Sequence, residues 1–480
     1  MYLGLDIGTS GVKAMLVDEK FAAVAVTTAP LTVERPHPGW SEQDPDSWIK
    51  ACEAAIIELG RVNKDALSKL KAIGLSGHMH GATLLDAADK PLRPCIMWND
   101  GRSGEQCLEL EKRADFRGIG GNIVMAGFTA PKLLWVAQHE PEIFEKTAKV
   151  LLPKDYVRLW LTGDHVAEMS DAAGTLWLDV AGRKWSPELL EATGLNNSHM
   201  PSLVEGSDVS GMLRAELAEA WGVPQVPVAG GGGDNAATAC GMGVITPGTG
   251  FLSLGTSGVL FAATDRFAPN TEDAVHAFCH AVPNTWHQMG VILSATDSLT
   301  WLSEMTGRTP AELAGLLPES INDPTSISFL PYLSGERTPH NNPNATGAFT
   351  GLQRVTQLPD LVQATMEGVA MAFADCVRVL KAAGTEIEAV YAVGGGARSD
   401  QWLQIMAAVT GLTLLKPEGG DYGAAFGAAK LGAACATGDT SARVFAPPKI
   451  DGEFRPDPVL AEKYAPKYQV YRDTYLNLQK

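Results

Sequence analysis

The sequence contains no run of about 20 consecutive apolar residues, the length that a helix needs to cross a bilayer. It also lacks a Cys-x-x-Cys pair, and its seven cysteines are scattered, so we expect reduced thiols. No basic and then apolar leader precedes the first predicted strand. These absences argue against a membrane-spanning, secreted or disulfide-stabilised protein, and we expect it to be cytoplasmic.

Positive charge is also scarce, because 38 lysines and arginines stand against 55 aspartates and glutamates, a net charge of −17. This balance argues against nucleic acid or an anionic membrane as a partner. A bound nucleotide would therefore have to be held by local donors and a cation. With 480 residues and an apolar content of 45%, the chain is predicted to form two domains.

A sequence motif that occurs twice is the most informative feature of the sequence. Each copy has an apolar strand, a Gly-Thr-Ser-Gly turn and a second apolar strand, with the turns at residues 8–11 and 255–258. Glycine lets the backbone approach an anion closely, and the hydroxyl and N–H groups of such a turn donate hydrogen bonds. One copy alone is typical of any tight hairpin. Two copies at equivalent places predict a duplicated domain that clamps a polyphosphate.

The alternation of strands and helices predicts an α/β fold in each half. We place an N-terminal domain over 1–245, a C-terminal domain over 246–446 and a helical tail over 447–480, with a largely helical insertion over 101–222. The small-residue segment 419–429 is interpreted as a structural helix start. The predicted strands cover 2–6, 12–17, 22–28, 71–76, 251–254, 259–263, 286–293 and 388–393, the predicted helices cover 45–59, 358–383 and 399–410, and 413–434 holds a further strand and helix.

Several motifs together resemble the FGGY carbohydrate kinases, a branch of the actin, hexokinase and Hsp70 ATPase superfamily. They are the two turns, an adenosine-binding turn at 394–399, the family signatures at 127–135 and 347–367, and the segments 77–83, 96–102 and 331–340. The resemblance runs essentially from end to end. It implies two ribonuclease H-like ATPase domains flanking a deep cleft, with ATP and Mg²⁺ as cofactors and a small-molecule sugar as substrate.

Within the family, the segments 77–83, 96–102 and 331–340 are most similar to members that phosphorylate D-xylulose to D-xylulose 5-phosphate. Another ketose or polyol, such as ribulose, rhamnulose, gluconate or glycerol, is the alternative acceptor. A non-catalytic ATPase scaffold, like actin or Hsp70, is the alternative of a different class. A homodimer is compatible with the resemblance, although no residue pattern indicates one.

Asp234 is the candidate general base. It follows the run Gly230–Gly233, where the backbone can approach a ligand, but it also precedes a good helix start, so an N-cap role is the alternative. The resemblance implies that Asp234 deprotonates the sugar hydroxyl as it attacks the γ-phosphate. Asp6 ends the first strand, and the resemblance implies that Asp6 and Asp234 are the metal residues for Mg²⁺.

The nucleotide is expected to contact both Gly-Thr-Ser turns and the glycine-rich turn. The resemblance implies that Thr9 and Thr256 donate to phosphate oxygens from opposite walls. Lys13 either reaches a phosphate or is a solvated strand lysine. No Gly-x-Gly-x-x-Gly spacing accompanies the glycine-rich turn, which argues against a dinucleotide site. The cofactor-binding candidates are Gly8, Thr9, Ser10, Lys13, Gly255, Thr256, Gly394, Gly395 and Gly396.

A polyhydroxylated ligand needs several donors and acceptors together with one or two apolar faces. Met79 and Trp98 offer apolar faces, and polar side chains occur around them. The family's Met-His motif matches Met79 and His80, so the resemblance supports a sugar-binding role most strongly for these two residues. The substrate-binding candidates are Met79, His80, Asn99, Asp100, Arg102 and Asn235.

Two histidine patterns need separate treatment. His276 and His280 have the spacing of a helical zinc pair, but their segment is predicted to be extended, which would separate them by about 13 Å at about 3.3 Å per residue, so no zinc site is predicted. His78 stands where the family pattern has Gln, and it either tunes the sugar pocket or faces solvent.

Overall fold

The protein was analysed as a computed structural model that describes residues 1–419 and 423–479. The segment 419–429, interpreted above as a helix start, therefore lies partly outside the described residues. Two seven-stranded sheets dominate the described part of the chain. Among the described residues, no helix combines the length and apolar character needed to cross a membrane.

The first half contains both the first large sheet and the segment predicted as an insertion. Its strands are β1 (Tyr2–Ile7), β2 (Gly11–Val17), β3 (Ala23–Pro30), β4 (Glu42–Gln43), β5 (Ala72–Gly77), β6 (Thr83–Leu85), β7 (Cys95–Ile96), β8 (Lys149–Leu151), β9 (Val166–Glu168), β10 (Leu178–Asp179), β11 (Lys184–Trp185), β12 (Ser202–Val204), β13 (Val209–Met212), β14 (Pro227–Ala229) and β15 (Gly232–Gly233). Its helices are α1 (Pro45–Leu67), α2 (Gly104–Leu110), α3 (Phe116–Gly120), α4 (Thr129–His139), α5 (Pro141–Lys146), α6 (Pro153–Thr162), α7 (Met169–Ala173), α8 (Pro187–Ala192), α9 (Ala215–Trp221) and α10 (Asp234–Gly241).

The second half repeats the alternation with fewer insertions. Its strands are β16 (Thr249–Leu254), β17 (Gly258–Thr264), β18 (His276–Cys279), β19 (Trp286–Ile292), β20 (Ser328–Leu330), β21 (Ala348–Thr350), β22 (Ala389–Val393), β23 (Thr413–Pro417) and β24 (Ile450–Phe454). Its helices are α11 (Thr296–Thr306), α12 (Pro310–Ala314), α13 (Leu358–Ala382), α14 (Asp400–Thr410), α15 (Ala424–Thr437) and α16 (Pro458–Leu478).

The two sheets have the same central arrangement, which confirms the α/β fold and the repeat. In the first sheet, β1 pairs antiparallel with β2 and parallel with β5. In the second, β16 pairs antiparallel with β17 and parallel with β22. Each Gly-Thr-Ser turn therefore connects the central strand to its antiparallel neighbour. Because β1, β5 and β15 are parallel, their carboxyl ends meet at one edge of the first sheet, where ligand sites of α/β sheets open.

The C-terminal tail, whose packing the sequence left open, packs onto the second half. Strand β24 pairs antiparallel with β23. From α16, the hydroxyl of Tyr464 donates to Glu367 at 2.8 Å, and the hydroxyl of Tyr471 lies 2.7 Å from that of Tyr332. The tail therefore completes the second sheet and its helical layer.

Helix α15 belongs to the second half in sequence but packs onto the first sheet. A side chain on Gly4 of β1 or on Gly74 of β5 would overlap backbone atoms of α15. Helix α15 also meets α10, where a side chain on Gly427 would overlap the carbonyl of Ala237. The predicted domain boundary at residue 245 follows the order of the chain. By packing, however, α15 belongs to the helices that cover the first sheet.

The segment 101–222, predicted to decorate the first domain alone, also contacts the second sheet. The ring of Phe128 lies 6.1 Å from that of Phe278 on β18 and 5.7 Å from that of His276. A continuous apolar cluster joins these residues to Phe251 and Phe261. The insertion therefore helps to join the two halves beside the site.

Candidate active site

The first Gly-Thr-Ser turn is held from two sides at Thr9. The side-chain amide of Gln43 donates to the Thr9 carbonyl at 2.8 Å, and the Trp98 indole N–H donates to the Thr9 hydroxyl at 3.0 Å. Gly8 donates to the Gly11 carbonyl at 3.0 Å and closes the hairpin, while Ser10 is exposed at its tip. The turn is therefore a fixed surface of donors.

Lys13 and Asp6 occupy directly opposite positions on β2 and β1. Both side chains are half-buried at the edge where the first sheet opens. This pairing places Lys13 beside Asp6, the predicted metal residue. Neither alternative for Lys13, a phosphate contact or a solvated strand lysine, included this position.

The second turn is docked onto the start of α11. The Thr256 carbonyl accepts from the Ala295 N–H at 2.8 Å, and the Gly255 carbonyl accepts from the Thr296 N–H at 2.9 Å and from its hydroxyl at 2.8 Å. The Thr256 residue itself is exposed. Its hydroxyl is thus displayed from an anchored backbone.

The glycine-rich turn follows β22 and leads into a short 3₁₀ helix over Gly395–Arg398 and then into α14. Gly394 has a φ of +90°, and a Cβ there would lie 2.6 Å from the Leu254 carbonyl oxygen and 3.0 Å from the Gly255 nitrogen. Only glycine fits both the backbone angle and this close approach. The turn therefore abuts the second Gly-Thr-Ser turn directly.

A cavity of about 650 Å³ opens beside this turn. Gly395 and Gly396 form one wall, and Thr296 and Thr300 of α11 form another. Sequence reasoning did not assign Thr296 or Thr300, although the strand-to-helix junction after β19 was the available signal. A second cavity, of about 610 Å³, lies between Gly394 and Gly395 and residues of α10, including Thr238.

Asp234 is the first residue of α10, and Gly233 is the N-cap. The Asp234 carboxylate makes no capping hydrogen bond to the next turn; it accepts instead from the backbone N–H of Asn235 at 2.7 Å and from its side chain at 3.0 Å. The N-cap alternative is therefore wrong. Burial raises the pKa of Asp234, against the lowering effect of the Asn235 hydrogen bonds.

A buried charge cluster lies beneath Asp234, and sequence reasoning missed it. The Gly233 N–H donates to the Ser170 hydroxyl at 3.1 Å, and that hydroxyl donates to the Glu168 carboxylate at 2.8 Å. The Lys154 ammonium lies 3.5 Å from Asp171 and 3.6 Å from Glu168. Burial raises the pKa of Asp171 well above its ordinary value, and the charge of Asp234 contributes. The cluster fixes the backbone that leads into Asp234.

Met79 lies against the backbone that precedes Asp234, because a Cβ on Gly233 would lie 2.9 Å from the Met79 side chain. A Cβ on Gly174 would lie 2.7 Å from the His80 ring and 2.8 Å from Met79. The two predicted sugar residues therefore meet at Gly174, and Met79 connects them to the segment that leads into the predicted base.

The His80 ring has a defined tautomer. Its Nδ1 lies 2.7 Å from the Gly174 carbonyl, which can only accept, so Nδ1 carries the proton. Burial lowers the pKa of His80 to about 3, so the ring is neutral near pH 7. Its Nε2 is therefore an acceptor. The ring packs edge-on against Phe128, with centroids 4.8 Å apart.

Glu336 and Arg337 lie on the His80 side of the site, although no individual role was predicted for them. Glu336 accepts from the N–H groups of Leu293 and Arg337, and burial raises its pKa to about 8. The Arg337 charge lies near enough to His80 to lower its pKa. The segment 331–340, which carried part of the family resemblance, was the signal.

Asp100 and Arg102 differ from the prediction that they bind the sugar. The side chains are 0% and 1% exposed and pair through two hydrogen bonds of 2.7 and 2.9 Å. Asp100 also accepts from the Ser41 N–H at 2.6 Å, and Arg102 lies 2.7 Å from Glu42 and 3.6 Å above the Trp40 ring. Both are committed to bracing their loop.

Trp98 and Asn99, at the tip of that loop, are exposed. The Trp98 residue is 45% exposed even though its indole N–H reaches Thr9. Asn235 is half-buried and bonded to Asp234. Asn99 and Asn235 are therefore the polar groups among the substrate-binding candidates, besides His80, that a ligand can reach.

The remaining histidines have structural surroundings. His78 is 3% exposed and packs edge-on against Trp48 at 5.7 Å, so the solvent-facing alternative is wrong. His276 lies on strand β18, which confirms the extended segment. Its ring lies 3.0 Å from the Asn122 side chain, whereas the His280 ring lies 2.9 Å from the Val244 carbonyl.

The surroundings of Asp6 and Asp234 fit a hydrated Mg²⁺. Asp6 pairs with Ser76 of β5, and Ser76 pairs with Gly232 of β15. Two strand spacings, about 10 Å, therefore separate the backbone of Asp6 from that of Gly232, two residues before Asp234. Mg²⁺ keeps several waters and takes one or two carboxylates with phosphate oxygens. No three His, Cys, Asp or Glu side chains within residues 1–419 and 423–479 are grouped to hold a metal ion. Such an ion would therefore depend on nucleotide phosphates.

Comparison with known proteins adds independent information. Residues 1–241 match the N-terminal domain, and residues 250–436 the C-terminal domain, of the FGGY family of carbohydrate kinases. The chain is 48% identical to xylulose kinase of Escherichia coli K12, over 100% of this chain and 99% of that protein. It is also 48% identical to xylulose kinase of Klebsiella pneumoniae, with the same coverage.

Solved structures agree with this relationship over the whole fold. The structure of a xyloylose kinase from Brucella ovis is 54% identical, with a TM-score of 0.98 over 100% of this chain and 99% of that one. Xylulose kinase of Rhodospirillum rubrum is 31% identical, with a TM-score of 0.93 over 100% and 99%. The chain therefore belongs to the FGGY family of carbohydrate kinases, whose members share a two-domain α/β ATPase fold, and it is an ATP-dependent sugar kinase.

Proposed function

We propose that this kinase phosphorylates D-xylulose to D-xylulose 5-phosphate by direct in-line transfer from ATP, with Asp234 as general base. One observation carries the proposal: Asp234 opens a helix that has Met79 beside its first turn and, along its body, a cavity bordered by Gly394 and Gly395 of the glycine-rich turn. The high identity to proteins named xylulose kinase supports D-xylulose as the acceptor.

Asp234 would accept the proton of the attacking hydroxyl. Its raised pKa makes its carboxylate a stronger base than that of an ordinary aspartate. The two Asn235 hydrogen bonds fix the carboxylate oxygen Oδ1 and leave Oδ2 to face the sugar. General base catalysis of this kind contributes about 10²- to 10⁴-fold to the rate.

The sugar would be held by the neutral His80 and by the amides of Asn99 and Asn235. The His80 Nε2 accepts from a sugar hydroxyl, because Nδ1 is occupied by the Gly174 carbonyl. Met79 supplies an apolar face. This donor and acceptor set suits an uncharged polyhydroxylated ligand.

The phosphates would lie between the two Gly-Thr-Ser turns. Thr9 and Thr256 donate from their hydroxyls, with the N–H groups of Ser10 and Gly255 beside them, and Lys13 adds positive charge from β2. Adenosine would occupy the cavity beside Gly395 and Gly396. Mg²⁺, held by Asp6 and Asp234 through water, would neutralise charge on the phosphates.

A cytoplasmic location also remains a proposal. It is supported by the seven cysteines, all of which are free thiols, six of them buried.

The proposal is tested by measuring ADP formation with a panel of D-xylulose, D-ribulose, L-rhamnulose, gluconate and glycerol. We expect the highest kcat/KM with D-xylulose. A higher value with another acceptor would overturn the substrate assignment but not the kinase mechanism. ADP formation that no sugar stimulates would overturn the mechanism as well.

A further inference from the structure

The Trp98 indole links the sugar-side loop to the first phosphate turn. Its N–H donates to the Thr9 hydroxyl at 3.0 Å, although the two residues are 89 positions apart. The sequence pattern predicts Trp98 as an apolar face for the sugar. The hydrogen bond to Thr9 also connects Trp98 to the predicted phosphate-binding side of the site.

The chemistry of the two groups gives this bond a direction. An indole N–H can only donate, and a threonine hydroxyl has one hydrogen and two lone pairs. When Trp98 occupies a lone pair of Thr9, the hydroxyl hydrogen has to point elsewhere. The Thr9 carbonyl is already bonded to Gln43, so the whole residue is oriented. Its free hydrogen is then available to an anion in front of the turn.

The loop that carries Trp98 is rigidly braced. Asp100 accepts from the Ser41 N–H, and the Gly101 N–H donates to the Gly39 carbonyl at 2.9 Å. Arg102 pairs with Asp100 and lies over the Trp40 ring. Burying a matched charge pair fixes geometry more than it adds stability. These contacts therefore hold Trp98 in a fixed position.

The same loop is tied to the sugar side. A Cβ on Gly127 would lie 2.8 Å from the Trp98 carbonyl oxygen, so the two backbones are adjacent. The Lys132 ammonium donates to the Gly127 carbonyl at 2.7 Å and to the His80 carbonyl at 2.8 Å. A continuous path of contacts thus runs from His80 through Lys132, Gly127 and Trp98 to Thr9.

We propose that Trp98 is a positioning residue for phosphoryl transfer: it orients the Thr9 hydroxyl toward the phosphates and couples that orientation to the sugar-binding loop. The inference rests on the proposed function, in which Thr9 donates to a phosphate. Trp98 itself need not touch the nucleotide. Its effect on the reaction passes through Thr9.

The test is a double-mutant cycle on the full chain, with Trp98→Phe, Thr9→Val and the double variant. Trp98→Phe removes only the indole donor and keeps an aromatic ring. We expect kcat to fall about 3- to 10-fold, the range for loss of one hydrogen bond, while KM for the sugar changes less than about twofold. In the Thr9→Val background, Trp98→Phe should have no further effect. Thr9→Ser, which keeps the hydroxyl, should retain the sensitivity to Trp98→Phe.

Three results would overturn the inference. The first is a Trp98→Phe variant that raises KM for the sugar at unchanged kcat, which would make Trp98 a sugar face. The second is a pair of effects that simply multiply in the double variant. The third is a full wild-type rate in Trp98→Phe while Thr9→Val is slow. If Thr9→Val itself is as active as wild type, the phosphate role of Thr9 in the proposed function fails, and the inference about Trp98 fails with it.

A spectroscopic measurement makes the result independent of turnover. In protein labelled with ¹⁵N-tryptophan, the indole proton of Trp98, assigned by its loss in Trp98→Phe, should shift in Thr9→Val and stay in place in Thr9→Ser. An unchanged shift in Thr9→Val would show that the bond is absent in solution.

Discussion

The Lys132 ammonium holds the backbone carbonyl of His80 at 2.8 Å and that of Gly127 at 2.7 Å. No carboxylate is among its hydrogen-bond partners, and burial lowers the pKa of Lys132 to about 7. Two carbonyl partners need two hydrogens, which a neutral amine also has. The residue therefore supports the sugar-binding loop in either charge state.

Lys132→Met should loosen this loop. We expect KM for the sugar to rise about tenfold, since the Gly127 carbonyl loses the ammonium and the His80 carbonyl keeps only the Thr129 hydroxyl at 3.2 Å, with a loss of about 1–3 kcal/mol in the free energy of unfolding. Steady-state kinetics and thermal unfolding measure the two effects. Lys149→Met is the matched control, because Lys149 also holds two carbonyls, those of Ser198 and Met200, elsewhere in the fold. An unchanged KM in Lys132→Met would remove the supporting role.

Asp234→Ala should lower kcat by about 10²- to 10⁴-fold, the contribution of a general base. ATP affinity should change less than about threefold, because the carboxylate faces the acceptor. Calorimetric titration with a nonhydrolysable ATP analogue checks the affinity. Glu188→Ala, in the first turn of α8, is the control for an acidic residue at a helix start. A loss of only a few-fold in kcat would reduce Asp234 to a helix-start residue.

The pH dependence of the reaction follows from the state of Asp234. The base must be ionised, so kcat/KM for the sugar should fall as pH drops through its pKa. Burial raises that pKa above the ordinary value of 3.8, and the acid limb should lie correspondingly higher. A pH profile of kcat/KM at saturating ATP measures it. A limb at or below the position of an ordinary aspartate would contradict the raised pKa.

His78→Gln should change how stability depends on pH. Burial lowers the folded-state pKa of His78 from 6.5 to about 3, so between these values the unfolded chain binds a proton that the folded chain does not. The free energy of unfolding therefore falls as pH drops through this window, by about 1.4 kcal/mol per pH unit for one such group. Urea unfolding at several pH values should show a smaller slope in His78→Gln. His37→Gln, at an exposed position, should keep the wild-type slope.

Gly394→Ala should disrupt the adenosine turn for two reasons. The backbone has a φ of +90°, and the new methyl group would press on the Leu254 carbonyl. Gly411→Ala separates these causes, because Gly411 has a φ of +75° and open space around it. We expect Gly411→Ala to cost about 1–2 kcal/mol of stability at unchanged KM for ATP. Gly394→Ala should cost more and raise KM for ATP at least tenfold; equal behaviour of the two variants would argue against the close approach.

The sequence predicted those parts of the fold that depend on local pattern. The two hairpins, the strand before Gly394 and the helix after it were readable, because their periodicity and turn residues act over a few positions. Helix α1 runs to Leu67 rather than residue 59. Strand β24 was not predicted, because its pairing with β23 is formed across the segment between them.

Residue roles that depend on distant partners were harder to predict. Asp100 and Arg102 have the chemistry of sugar ligands, but Ser41 and Glu42, about 60 positions away, engage them first. The cluster around Lys154 and Glu168 was hidden for the same reason, since no short motif brings those charges together. The proposed roles of Asp234, Met79 and His80 come from the family resemblance, because spacing alone does not distinguish a site residue from a structural one.

The position of α15 has a consequence for biosynthesis and protein engineering. The sheet that starts with Tyr2–Ile7 has one face that packs against a helix translated near the end of the chain, Ala424–Thr437. A nascent N-terminal half emerges from the ribosome with that apolar face bare, which makes it a substrate for chaperones. A split or chimeric enzyme that keeps the first half must therefore carry this late helix with it.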